Sequence, residues 1–126
     1  MKIQELSACL VLSHEGRLLL LKRNDDLWEF PAGAVGWGEN PQDSAARATR
    51  EKTGLTPRNI SFFMITSATN QKEQDELHCV HVVYKGEAGG TDVVISPAHT
   101  EFRWVMPHEA KYMKLSLNAE PILDLL

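Results

Sequence analysis

The sequence predicts an α+β fold, a mixed sheet with helices packed on its faces, and three observations lead there. Apolar runs of strand length alternate with turn residues. One segment, 41–53, carries both ends of a capped helix. The chain closes on Ile122, Leu123, Leu125 and Leu126, apolar positions suited to a last helix docked on the sheet.

Taken in order, Ile3 to Ser13 reads as a strand, His14-Glu15-Gly16-Arg17 as a turn, and Leu18 to Lys22 as a second strand, which together make a hairpin. The unbroken run Leu18-Leu19-Leu20-Leu21 predicts a strand buried on both faces. Asn24-Asp25-Asp26 is a loop, and Trp28 to Phe30 is short and extended. Beyond the helix, Ile60 to Thr69 and Leu77 to Lys85 read as strands separated by a polar loop, Asn70 to Glu76. Gly86, Gly89 and Gly90 mark a turn. Phe102 to Met106 is a further strand, Pro107 to Tyr112 a short helix, and Asn118 a cap for the last helix.

The densest information lies between Trp28 and Leu55. Pro31, Gly33, Gly36 and Gly38 make an irregular loop. Asn40 then suits an N-cap, Pro41 the first helical position and Asp43 the first turn. Ala45, Ala46 and Ala48 favour the helix, and Gly54 suits its C-terminal cap. Positions 48, 51 and 52 are expected on one helix face, where carboxylates would meet a divalent cation and, through it, a diphosphate.

In this stretch Gly33 is followed after five residues by Glu39, and seven more lead to Arg47-Ala48-Thr49-Arg50-Glu51-Lys52-Thr53-Gly54-Leu55. The pattern resembles the signature box of the Nudix hydrolases: Gly, five residues, Glu, seven residues, then Arg-Glu-apolar-any-Glu-Glu-any-Gly-apolar. Gly33, Glu39, Arg47, Glu51, Gly54 and Leu55 match in register. The lead-in Trp28-Glu29-Phe30-Pro31-Ala32-Gly33 and the run Pro97 to Val105 also resemble family segments, so the likeness covers essentially the whole chain. It implies a Nudix-like α/β/α sandwich and hydrolysis of a nucleoside diphosphate linked to another moiety, with Mg²⁺ (Mn²⁺ as the alternative ion). A homodimer is a further expectation of the resemblance.

Three positions depart from the pattern. Ala48 and Lys52 stand where the box has glutamates, and Ala98 stands where many members place a Glu before the later histidine. Glu51 now shares its helix with Lys52, Arg47 and Arg50, and opposed charges a few Å apart interact by roughly several kcal/mol at an effective dielectric of about 20. A cluster of ions is hard to hold there. A single weakly held ion, shared by Glu51, a loop carbonyl and the substrate, is the expectation, with low activity. Alternatively, the Lys52 ammonium stands where a metal would, or simply points to solvent. Restoring Ala48→Glu with Lys52→Glu should then raise Mg²⁺ affinity. A nucleotide-binding or sensor module without turnover is the competing reading.

The resemblance assigns candidate roles. Glu51 is the leading metal ligand, with Arg47 orienting it; an Arg47–Glu51 ion pair is the plain structural alternative. Glu39 supports the loop and in some members contacts metal. His99 is a candidate general base, since histidine titrates near neutrality, and relatives that cleave GDP-sugars lack the first box glutamate as this chain does. Arg23 is placed to meet a phosphate, and Trp37 to stack on a base. Trp28 and Phe63 read as core residues. His78 and His81, three apart on a strand, face opposite sides and make a poor metal pair.

The 126 residues suit one domain with a real core, and a hydrophobic content of 43% is ordinary for a globular chain. A net charge of −4 carries no footprint for nucleic-acid binding. No apolar run is long enough to span a bilayer, and nothing resembles a signal peptide. Cys9 and Cys79 sit in apolar runs and read as small core residues. A cytoplasmic setting, no membrane and a nucleotide or nucleotide-sugar ligand are therefore the expectations.

Overall fold

The computed structural model describes residues 1–126. Strand β1 (Lys2–His14) turns through Glu15 and Gly16, both at positive φ, into β2 (Arg17–Arg23). Two left-handed residues make the tight hairpin turn whose twist suits antiparallel strands, which explains Gly16 there. Then follow β3 (Trp28–Glu29), β4 (Ala32–Ala34), α1 (Pro41–Thr53), β5 (Arg58–Lys72), β6 (Asp75–Glu87), β7 (His99–Val105), α2 (Pro107–Ala110) and α3 (Ala119–Asp124). The sheet runs β3-β2-β1-β6-β5, with β4 on β1 and β7 on β2. It is mixed, because β1 pairs parallel with β6 while the other pairings are antiparallel.

Two cores flank this sheet. Leu18 and Leu20 join Cys9, Val11, Phe30 and Val105 beneath α2 and α3, which supply Ala110, Ala119, Ile122 and Leu123. Leu19 and Leu21 join Ala8, Leu10, Leu12 and Tyr84 on the other side, with Ala45 of α1. The four-leucine run thus serves both faces, as its unbroken apolarity implied. The α/β/α arrangement follows from that division. No helix is long and apolar enough to cross a membrane.

Several boundaries differ from the sequence expectations. The polar loop 70–76 is mostly strand: β5 and β6 continue to the pair Lys72↔Asp75, leaving Glu73 and Gln74 as the turn. This end of the hairpin is uncovered, so both strands carry polar residues and the apolar alternation fades. Gly86 belongs to β6 rather than to a turn. Asn118 is helical in φ and ψ and makes no capping bond. Ile122 and Leu123 dock as expected, whereas Leu125 and Leu126, past the helix end, are exposed.

Candidate functional site

Helix α1 forms over the expected residues. Asn40 Oδ1 accepts from Gln42 N at 3.0 Å, Pro41 opens the helix, and Gly54 closes it at φ 74°, in the left-handed region. Its sheet-facing side is small: Ser44, Ala45, Ala48, Thr49 and Thr53 are buried. The buried threonines satisfy their hydroxyls by donating one turn back, Thr49 to Ala45 O and Thr53 to Thr49 O. Small residues let the helix settle on β4, so that a Cβ added at Gly33 would lie 2.9 Å from that of Ala48.

The box charges of the loop–helix unit form one clasp. Arg47 Nε donates to Glu39 Oε2 at 3.0 Å, and Nη2 donates to Glu39 Oε1 at 3.1 Å and to Ala34 O at 2.9 Å. Nη1 faces both Glu51 oxygens at 3.2 and 3.3 Å. Glu39 Oε1 also accepts from Gly36 N and Ser44 Oγ. The Arg47 hydrogen bonds, then those from Ser44 and Gly36, hold the Glu39 carboxyl well below its ordinary range, at about 2. Glu39, in turn, raises the Arg47 pKa, with Glu51 adding to it. A planar guanidinium is the one side chain that can join a loop carbonyl and two carboxylates this way.

The three positions expected on one helix face separate. Ala48 is 1% exposed under β4. The Glu51 side chain is 60% exposed and paired with Arg47. Lys52 alone turns toward the loop, its Nζ donating to the Ala32 carbonyl. It lines an open cleft of about 340 Å³ with Arg23, Asn24, Asp25, Glu29, Ala98 and His99. Arg23 and His99 therefore border the same cleft as Lys52, whereas Glu51 and Glu39 do not line it. Trp37 is fully exposed on the loop before α1 and also lies outside it.

Within the cleft, His99 Nε2 lies 2.8 Å from Glu29 Oε2, and Arg23 bridges Asp25 at 2.8 Å and Glu29 at 3.8 Å. The His99 side chain is 1% exposed, and its Nδ1 is buried without a partner. This changes the role expected of His99. Neither ring nitrogen is open to a water in the cleft, since one faces Glu29 and the other is enclosed. The Glu29 side chain, a quarter exposed, reaches the cleft beside Asp25, and its contact with His99 holds it there. Glu29 was in plain view in Trp28-Glu29-Phe30 but is 70 residues from His99, and strand pairing brings them together: Leu21↔Glu29 on one side of β2, Arg23↔His99 on the other.

A smaller cavity of about 40 Å³ adjoins, lined in part by Cys9, Glu29, His81 and Asn118, whose Oδ1 is buried and unpartnered. Both cysteines are free. Burial pushes the Cys9 thiol far up, and burial also lowers the His81 pKa. Cys79 is only partly buried, and its Sγ lies 3.2 Å from His81 Nε2. His78 instead meets Gln4 on the edge of a larger cleft at the far end of β1 and β6, which holds none of the box residues.

The donors present do not fit a resident metal centre. Glu39 is fully engaged, Glu51 is held by Arg47, and each β4 carbonyl accepts from a side chain: Ala32 from Lys52, Gly33 from Ser7, Ala34 from Arg47. No three His, Cys, Asp or Glu side chains come together in a way that could hold an ion. The donors expected to share a single Mg²⁺, Glu51 and a loop carbonyl, already have cationic partners in Arg47 and Lys52.

Comparison with known proteins fits the fold and the box. The NUDIX domain family profile matches residues 4–126. A MutT-like protein of Streptomyces ambofaciens is 27% identical over 94% of this chain and 74% of its own length. A CMP-5'-(N-acetyl-N-hydroxy-3-aminopropyl)phosphonate hydrolase of Streptomyces rubellomurinus is 34% identical over 75% of this chain, but the match spans only 47% of that relative. Among solved structures, a MutT NUDIX hydrolase from Burkholderia pseudomallei superposes with a TM-score of 0.84 at 20% identity, covering 97% of both chains. The NUDIX domain of Shewanella oneidensis NrtR, complexed with ADP ribose, gives 0.79 at 20% identity over 98% of this chain and 86% of that one. With a family match over nearly its full length, a clasped Gly33–Glu39–Arg47–Glu51 box and the α/β/α sandwich, this chain belongs to the Nudix hydrolase family.

Proposed function

We propose that this protein hydrolyses a nucleoside diphosphate linked to a second moiety, a nucleotide or nucleotide sugar. The observation that carries the reading is the cleft in which Lys52, Arg23 and the Glu29–His99 pair face one another beside the box helix. The resemblance to a CMP-linked phosphonate hydrolase and to a domain complexed with ADP ribose supports that substrate class.

In this reading the cations bind phosphate oxygens, and the Glu29 carboxylate takes a proton from a water attacking phosphorus. The bond to the leaving phosphate oxygen breaks, giving two phosphate monoesters. His99 keeps Glu29 aimed at the cleft. Family chemistry generally draws on a divalent cation such as Mg²⁺; in this reading Lys52 and Arg23 supply the positive charge, because the β4 carbonyls that would face an ion already accept hydrogen bonds.

A panel of nucleoside diphosphate sugars and dinucleotides tests it. Turnover in the wild type that falls at least a hundredfold in Glu29→Gln, with affinity within a few-fold, supports the enzyme. Tight binding with no turnover of any member would establish the sensor reading, which the replacements Ala48, Lys52 and Ala98 favour.

A further inference from the structure

We infer that the cleft binds its diphosphate through Lys52 as a built-in cation, without a divalent ion, and that it takes a diphosphodiester in preference to a nucleoside triphosphate. The inference rests on the functional reading above and specifies how that site works. Lys52 is the only helix cation that lines the cleft, and the Ala32 carbonyl fixes its ammonium in place. An ammonium has three donors; one is engaged by Ala32, and the rest can meet phosphate oxygens. No carboxylate lies within ion-pairing distance of Lys52, unlike Arg23, which Asp25 and Glu29 already neutralise. Lysine is an effective phosphate binder as a point charge.

Charge sets the preference. The lining places two cations, Arg23 and Lys52, against two carboxylates, Asp25 and Glu29. Such a balanced cleft tolerates the modest charge of a diphosphodiester bridging two groups. A triphosphate brings more negative charge toward Asp25 and Glu29, and ordinarily carries Mg²⁺ to offset it. The same substitution that removes the metal's seat therefore narrows the substrate.

Calorimetric titration of the intact protein with ADP-ribose, GDP-mannose and ATP, each in EDTA and in Mg²⁺, tests this. At least one of the two diphosphodiesters should bind with affinities within about threefold in EDTA and in Mg²⁺, and at least tenfold more tightly than ATP. Lys52→Met should weaken that binding at least tenfold in EDTA, while Lys52→Arg retains most of it; thermal unfolding confirms that each variant is folded. Binding that needs Mg²⁺, a preference for ATP, or a folded Lys52→Met variant of unchanged affinity overturns the inference but leaves the functional reading standing. Binding of none of the three ligands under either condition overturns both.

Discussion

Gly33 and Ala48 meet so closely that a methyl group on the glycine would sit 2.9 Å from the alanine Cβ. Two family positions are thereby tied to each other: the box glycine admits the helix, and the helix offers only a methyl in return. Gly33→Ala should destabilise the fold by about 1–3 kcal/mol, as overpacking does. Chemical denaturation measures it. Ala48→Gly in the same chain should recover part of the loss, and a strictly additive double mutant would refute the contact.

Arg47 uses its whole fork, so charge alone cannot replace it. Arg47→Lys should lower Tm by a few degrees and loosen the loop from Ala34 to Glu39, because lysine cannot reach two carboxylates and a carbonyl at once. Amide exchange at Gly36, whose N–H donates to Glu39, reports that loosening. Unchanged protection there would count against the clasp.

Acid should act through Glu39. Its folded pKa, about 2, lies below the ordinary 4.5, so its contribution is fully present above about 4.5 and fades as pH falls toward 2. Glu39→Gln should therefore lose stability at pH 7 yet show a shallower decline between those pH values. Urea midpoints across the range decide the matter; parallel curves for the two proteins would exclude it.

The two box positions should not respond alike to a restored glutamate. Ala48 is enclosed, so Ala48→Glu forces a carboxylate into a packed site and should cost at least about 1–3 kcal/mol with no gain in metal affinity. Lys52→Glu differs, since it sets a carboxylate beside the Ala32 carbonyl and should by itself create Mg²⁺ binding. Titration with Mg²⁺ compares the two single variants.

What could be read from the sequence was local. Asn40, Pro41 and Gly54 fix α1 because caps act within one turn, and the leucine run declares a twice-covered strand by its composition. β4 carries no such signal: Ala32, Gly33 and Ala34 are extended because Ser7 to Cys9 pair with them. The Glu29–His99 pair was equally hidden, since it depends on which strands flank β2. Helical spacing also placed 48, 51 and 52 together, but the depth at which α1 sits against β4 decides which of them meets solvent, protein or cleft.

The division of β2 between both sides of the sheet has a mechanical consequence. Consecutive leucines anchor opposite layers, so loosening one layer pulls on the backbone that holds the other. Neither half should melt by itself, and heat should dissolve the helix-bearing flanks in a single shared step.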